Sequence, residues 1–118
     1  RDLQFKARDK GRPWDFGKDF DHAAVIGTLA PASVIGHPAK GGIRLTVNGQ
    51  IKQNADIKDL IWSVPEIVAN LSAYYPLRPG DLIYTGTPEG VGPVQPGDVL
   101  AGRIEGVGEI ALTIGQPL

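Results

Sequence analysis

Gly80-Asp81-Leu82-Ile83-Tyr84-Thr85-Gly86-Thr87-Pro88-Glu89-Gly90-Val91-Gly92 is the stretch around which this chain is organised. Pro79-Gly80 opens it as a turn. Residues 82–85, rich in β-branched and aromatic side chains, predict a short strand. That strand would deliver a loop carrying Gly86, Gly90 and Gly92, where a ligand can come close to the backbone. Thr85 and Thr87 add hydroxyl groups at the strand end. Such a passage builds either a binding site or a plain turn, and residue types alone leave both readings open.

Working outward, Arg78-Pro79-Gly80-Asp81-Leu82 is echoed by Gln95-Pro96-Gly97-Asp98-Val99. Each reads as a Pro-Gly turn launching a strand. Residues 99–104 and 109–114 then predict a hairpin, with Ile110, Leu112 and Ile114 on one side. Residues 43–47 alternate with period two and predict a half-buried strand. Asn48-Gly49 is the strongest short hairpin signal and leads to a return strand over 50–53, whose main apolar residue is Ile51. Residues 56–62 are ambiguous. Ser63-Val64-Pro65-Glu66 is a capping-box pattern, and Val64, Ile67, Val68, Leu71 and Tyr75 follow helical spacing, so a helix is expected over 64–75. Residues 1–10 predict another helix, stopped by Gly11 and Pro13. Residues 23–29 read as extended and 31–42 as a loop. The sum is a β-rich α+β unit with two helices.

Residues 11–22, Gly11-Arg12-Pro13-Trp14-Asp15-Phe16-Gly17-Lys18-Asp19-Phe20-Asp21-His22, cannot form a regular helix. They predict an ordered loop pinned by Trp14, Phe16 and Phe20. A lysine held on such a loop can aim its ammonium at developing negative charge, although a lysine lying over an aromatic patch is the plainer reading. Asp19, Asp21 and His22 are metal-ligand types, but their spacing fits no metal motif, and capping or surface roles fit them better. His37 is expected to be exposed. No Ser, His and acid arrangement stands out.

The 118 residues bound one domain. Hydrophobic content of 42% and charged content of 21% fit a globular chain. A net charge of −1 gives no electrostatic case for nucleic acid or a membrane surface. Without cysteine there are no disulfides or thiolate metal sites. No apolar run is long enough to span a bilayer. The glycine-rich loop lacks a Gly-Lys-Ser/Thr ending, so a P-loop is not expected. The chain opens at Arg1 in helix-like sequence and has no Met, which suggests a piece of a longer protein.

These blocks carry a family likeness. The chain resembles the C-terminal part of the fumarylacetoacetate hydrolase family, on Arg1-Asp2-Leu3-Gln4, residues 11–21, Val47-Asn48-Gly49 and residues 79–92. Within that family the look is nearest to bacterial acylpyruvate hydrolases. The resemblance implies mixed strands rolled into a β-sandwich-like barrel, here an incomplete C-terminal segment over residues 1–118. It implies a homodimer, a cytoplasmic location and a divalent metal, commonly Mg²⁺, Mn²⁺ or Ca²⁺. The implied substrates are small oxo acids. Acylpyruvates such as fumarylpyruvate would be cleaved at a carbon–carbon bond to fumarate and pyruvate, in aromatic-compound degradation. By resemblance Lys18 matches the active-site lysine. Arg1 and Gln4 match residues lining the site, and Gly86 and Thr87 match the loop that contacts substrate oxygen. The acidic metal ligands and the water-activating His and Glu pair would lie upstream of Arg1, so this segment supplies about half a site. An oxaloacetate decarboxylase or oxo-acid isomerase or hydratase of the same family is the alternative. A non-catalytic β-rich binding module is a further one.

Overall fold

A computed structural model describes residues 2–116. Its centre is an antiparallel sheet of four strands: β1 (Gly42–Val47), β2 (Gln50–Asp56), β3 (Val99–Ile104) and β4 (Gly108–Thr113), in the order β2-β1-β3-β4. The helices are α1 (Asp2–Asp9), the single turn α2 (Ala32–Ile35) and α3 (Val64–Ser72). Short 3-10 turns occupy Asp15–Gly17 and Ile57–Asp59. This is the α+β, β-rich segment read from the sequence, with one more helix than expected. The sheet is antiparallel throughout.

The Asn48-Gly49 signal becomes a two-residue hairpin turn. Both residues have positive φ, 50° and 78°, and Val47 pairs with Gln50 across it. Asn48 also ties the hairpin to β3. Its side-chain amide donates to Asp98 Oδ1 (2.8 Å), and its carbonyl oxygen accepts from the Val99 N–H (2.9 Å). The Gln95 N–H, and then the Asn48 amide, lower the Asp98 pKa.

The echoed Pro-Gly-Asp segments are the same turn. Gly80 (φ 101°) and Gly97 (φ 92°) take the positive-φ position. Asp81 Oδ2 accepts from the Arg78 N–H (2.7 Å), and Asp98 Oδ2 from the Gln95 N–H (2.8 Å). Their outcomes differ. After Asp98 the chain enters β3, between β1 and β4. After Asp81, residues 82–85 pair with no strand, contrary to the sequence reading. Residues 23–29 likewise join no sheet. Local propensity cannot make a strand where no partner is offered for the backbone N–H and C=O groups.

Helix α3 begins as its pattern requires. The Glu66 carboxylate accepts from the Ser63 hydroxyl and the Ser63 N–H (both 2.7 Å), and the Ser63 hydroxyl oxygen accepts from the Glu66 N–H (3.4 Å). The helix ends at Ser72, short of the expected 75, because Pro76 disfavours helical geometry at Tyr75.

In the sheet, Ile43, Leu45, Val47, Leu100, Ile104, Ile110 and Leu112 share one face and are half-buried. No apolar side chain among the described residues is fully buried. The accessible surface is 9688 Å², against about 6,200 Å² expected for a compact monomer of 12.5 kDa. The apolar face is therefore open. The aromatic anchors expected in residues 11–22 are largely open to solvent among the described residues. Trp14, Phe16 and Phe20 are 45%, 87% and 62% exposed, and α1 is the element that packs mainly against their 3-10 turn.

Loop 86–92 lies against β2 at Gly90. A Cβ there would collide with the Lys52 carbonyl oxygen, and φ is +100°. At Gly92 a Cβ meets nothing within 4 Å. Gly90→Ala is therefore expected to lower the thermal midpoint measurably while Gly92→Ala leaves it nearly unchanged, read by differential scanning fluorimetry. Ser63→Ala is expected to cost about 1 kcal/mol in denaturant titration. Hydrogen bonds from Ser63, the hydroxyl first and then the N–H, lower the Glu66 pKa from 4.5. The stability this adds is present above pH 4.5 and fades as pH falls through the lower folded-state value. That acid limb should shrink in Ser63→Ala.

Candidate functional site

Two groups of sequence-nominated residues occupy two parts of the fold. The first is Gln4 with Lys18. Gln4 is half-buried in α1. Gly17 sits so close to it that a Cβ would come 2.9 Å from the Gln4 backbone nitrogen, so glycine alone permits this approach. That contact holds Lys18, the next residue, beside α1. Its backbone N–H donates to the Asp15 carbonyl (2.8 Å), while its side chain is exposed and joins no ion pair among the described residues. Arg1 lies outside the described residues.

The second group is Gly86 with Thr87. Residues 86–88 stand between two cavities and line both. One, of about 320 Å³, opens over the sheet face at Ile43, Leu45 and Gly102. The other, of about 780 Å³, is walled by Ile57, Leu60, Trp62 and Ile67. Gly86 has φ +97° and open space where a Cβ would be, so its requirement is conformational. Neither cavity is lined by Gln4 or Lys18. The chain thus presents a cationic, amide-bearing part and a hydroxyl-bearing part, each on its own element.

A residue missed from the sequence holds the second group. Gln53, 8% exposed, is the only buried side chain among the described residues. Its amide nitrogen donates to Thr87 Oγ1 (2.8 Å) and to the Pro88 carbonyl (2.6 Å). No residue-level signal marks it, because a bulge in β2 changes which way the strand faces.

Among the described residues no three His, Asp or Glu side chains come together to hold a metal ion. Asp19, Asp21, His22 and His37 are all exposed. The donor set present does not by itself fit a divalent cation. Among the described residues, too, no helix is long and apolar enough to cross a membrane.

The model of the fumarylacetoacetate (FAA) hydrolase C-terminal family matches residues 1–115. The chain is 56% identical to fumarylpyruvate hydrolase of Ralstonia sp over 115 residues, 98% of this chain and 59% of that protein. It is 38% identical over 104 residues to a mitochondrial oxaloacetate tautomerase of Schizosaccharomyces pombe, covering 88% of this chain and 47% of the relative. Its fold superposes on the crystal structure of fumarylpyruvate hydrolase from Pseudomonas aeruginosa in complex with Mn²⁺ and pyruvate. The TM-score is 0.94 at 51% identity, over 99% of this chain and 50% of the other. The chain spans about half the length of the curated relatives it matches. With the family model covering nearly every residue, and the lysine and Thr-Gly-Thr-Pro blocks inside the match, this chain belongs to the fumarylacetoacetate hydrolase family.

Proposed function

We propose that these residues form the C-terminal part of one catalytic domain that hydrolyses acylpyruvates such as fumarylpyruvate to fumarate and pyruvate. The observation that carries this reading is the similarity, over nearly all of this chain, to about half of each fumarylpyruvate hydrolase. The open apolar sheet face supports a larger unit, since an exposed face of this kind is normally covered by more protein. We assign the covering to the rest of the domain and to a homodimer partner, in a cytoplasmic enzyme.

In this reading water adds across the carbon–carbon bond. The hydroxyl goes to the acyl carbon and the electron pair to the leaving pyruvate enolate, which then takes a proton. Lys18 supplies positive charge where the enolate oxygen becomes negative. Gln4 is assigned to the substrate on that side, and Arg1, outside the described residues, is assigned to substrate binding by the family resemblance alone. Thr87, with the Gly86 backbone, meets a carbonyl or carboxylate oxygen of the substrate. The Mn²⁺ of the Pseudomonas aeruginosa relative supports a divalent metal, for which we propose Mg²⁺. Its ligands, and the groups that activate water, are assigned outside these 118 residues.

The tautomerase relative favours a second reading, isomerisation of an oxo acid, in which the same charge would stabilise an enolate without bond cleavage. The full-length protein with added Mg²⁺ should release pyruvate and fumarate from fumarylpyruvate. Enol–keto conversion of oxaloacetate without any cleavage of acylpyruvates would favour the second reading. Lys18→Ala is expected to lower kcat/KM for fumarylpyruvate by at least about a hundredfold. Unchanged hydrolysis by that variant would remove Lys18 from the site.

A further inference from the structure

Between Leu45 and Thr46 the pairing of β1 with β2 shifts by one residue. Val47 faces Gln50, Thr46 faces Ile51, and Leu45 faces Gln53, so Lys52 has no partner. Strict alternation from Gln50 would turn Lys52 to the apolar face and Gln53 away from it. The bulge reverses this and places Gln53 on that face, at the β2 edge of the sheet, beneath the Thr87-Pro88 peptide.

The amide orientation follows from its partners. The Pro88 carbonyl oxygen can only accept, so the group 2.6 Å from it is the NH₂ end. The second amide hydrogen goes to Thr87 Oγ1, which must accept it. The Thr87 hydroxyl hydrogen is thereby turned away from Gln53 and kept for another acceptor. Thr87 is exposed and lines both cavities, so that hydrogen is available to an oxygen of a molecule bound there.

We infer that Gln53 is a positioning residue: it locks the Thr87 hydroxyl as a hydrogen-bond donor, so that this edge of the site selects ligands presenting a carboxylate or enolate oxygen. The inference rests on the reading of Thr87 given under the proposed function. Gln53 reaches the ligand only through Thr87.

The test is a mutant cycle in the full-length enzyme loaded with Mn²⁺, read as kcat, KM and pyruvate affinity by calorimetry. Gln53→Glu keeps the shape, but its carboxylate faces the Pro88 carbonyl and takes the Thr87 hydrogen. KM for fumarylpyruvate should rise about tenfold or more, with kcat changed far less. The loss should shrink as pH falls and the carboxyl gains a proton to donate. Gln53→Met should show the loss without the acid recovery. In a Thr87→Val background either change should add less than about twofold, because the residue it acts through is gone. Variants within twofold of the parent, or effects that multiply independently of Thr87→Val, would overturn the inference. If Gln53→Glu does not fold, the Gln53→Met cycle decides. If the parent does not cleave fumarylpyruvate, the functional reading falls, and the same cycle read on pyruvate affinity still supports or overturns the role of Gln53.

Discussion

The slip of register between Leu45 and Thr46 leaves Lys52 unpaired, and the path of loop 86–90 depends on that one extra residue. A bulge exchanges the two faces of a strand beyond it. Here the exchange keeps a lysine off the apolar face and sets an amide on it. A buried amide must find partners, since leaving its donors unmade would cost the full desolvation of the group. Thr87 Oγ1 and the Pro88 carbonyl provide them. The same bulge residue receives Gly90, where no side chain would fit. The loop is therefore seated at two points of β2, although it belongs to no strand.

A second constraint is the open sheet. The half-buried apolar residues of β1, β3 and β4 form a continuous face that the described residues do not close. Helix α3 and the turn at Ile57–Asp59 wall one flank, and the loop at 86–88 crosses between the flank and the sheet. Gly86 and Thr87 thus sit at the rim of the open hollow, which Lys18 and Gln4 do not line. Lys18 and Gln4 are held near each other by the Gly17 contact, on a helix and turn that pack mainly on each other. Under the proposed function, a site split between such elements would gain its geometry from further protein closing over the hollow. Coverage of about half of each relative agrees with that picture.

Much of the fold was legible because the signals were local. Asn48-Gly49 needs two consecutive positive-φ residues and specifies its hairpin. Ser63 and Glu66 satisfy each other's backbone donors. The two Pro-Gly-Asp turns close through their own aspartates. The identities of Lys18, Gly86 and Thr87 as candidates came from motif blocks rather than from geometry. Residues 82–85 show where propensity failed: Leu82, Ile83, Tyr84 and Thr85 favour a strand, yet no neighbouring strand lies alongside. Trp14, Phe16 and Phe20 failed similarly, since aromatic anchors need a surface to anchor against.

By itself the sequence determined the turns, the α3 cap, the two hairpins and the family. Each depends on contacts a few residues apart or on a contiguous motif. Tertiary structure alone decided that Gln53 faces inward, that Gly90 must be glycine, and that Thr87 accepts a hydrogen bond from an amide 34 residues away. The physical reason is the bulge. A one-residue slip in pairing leaves no mark in composition or alternation, yet it reverses every side chain that follows in the strand.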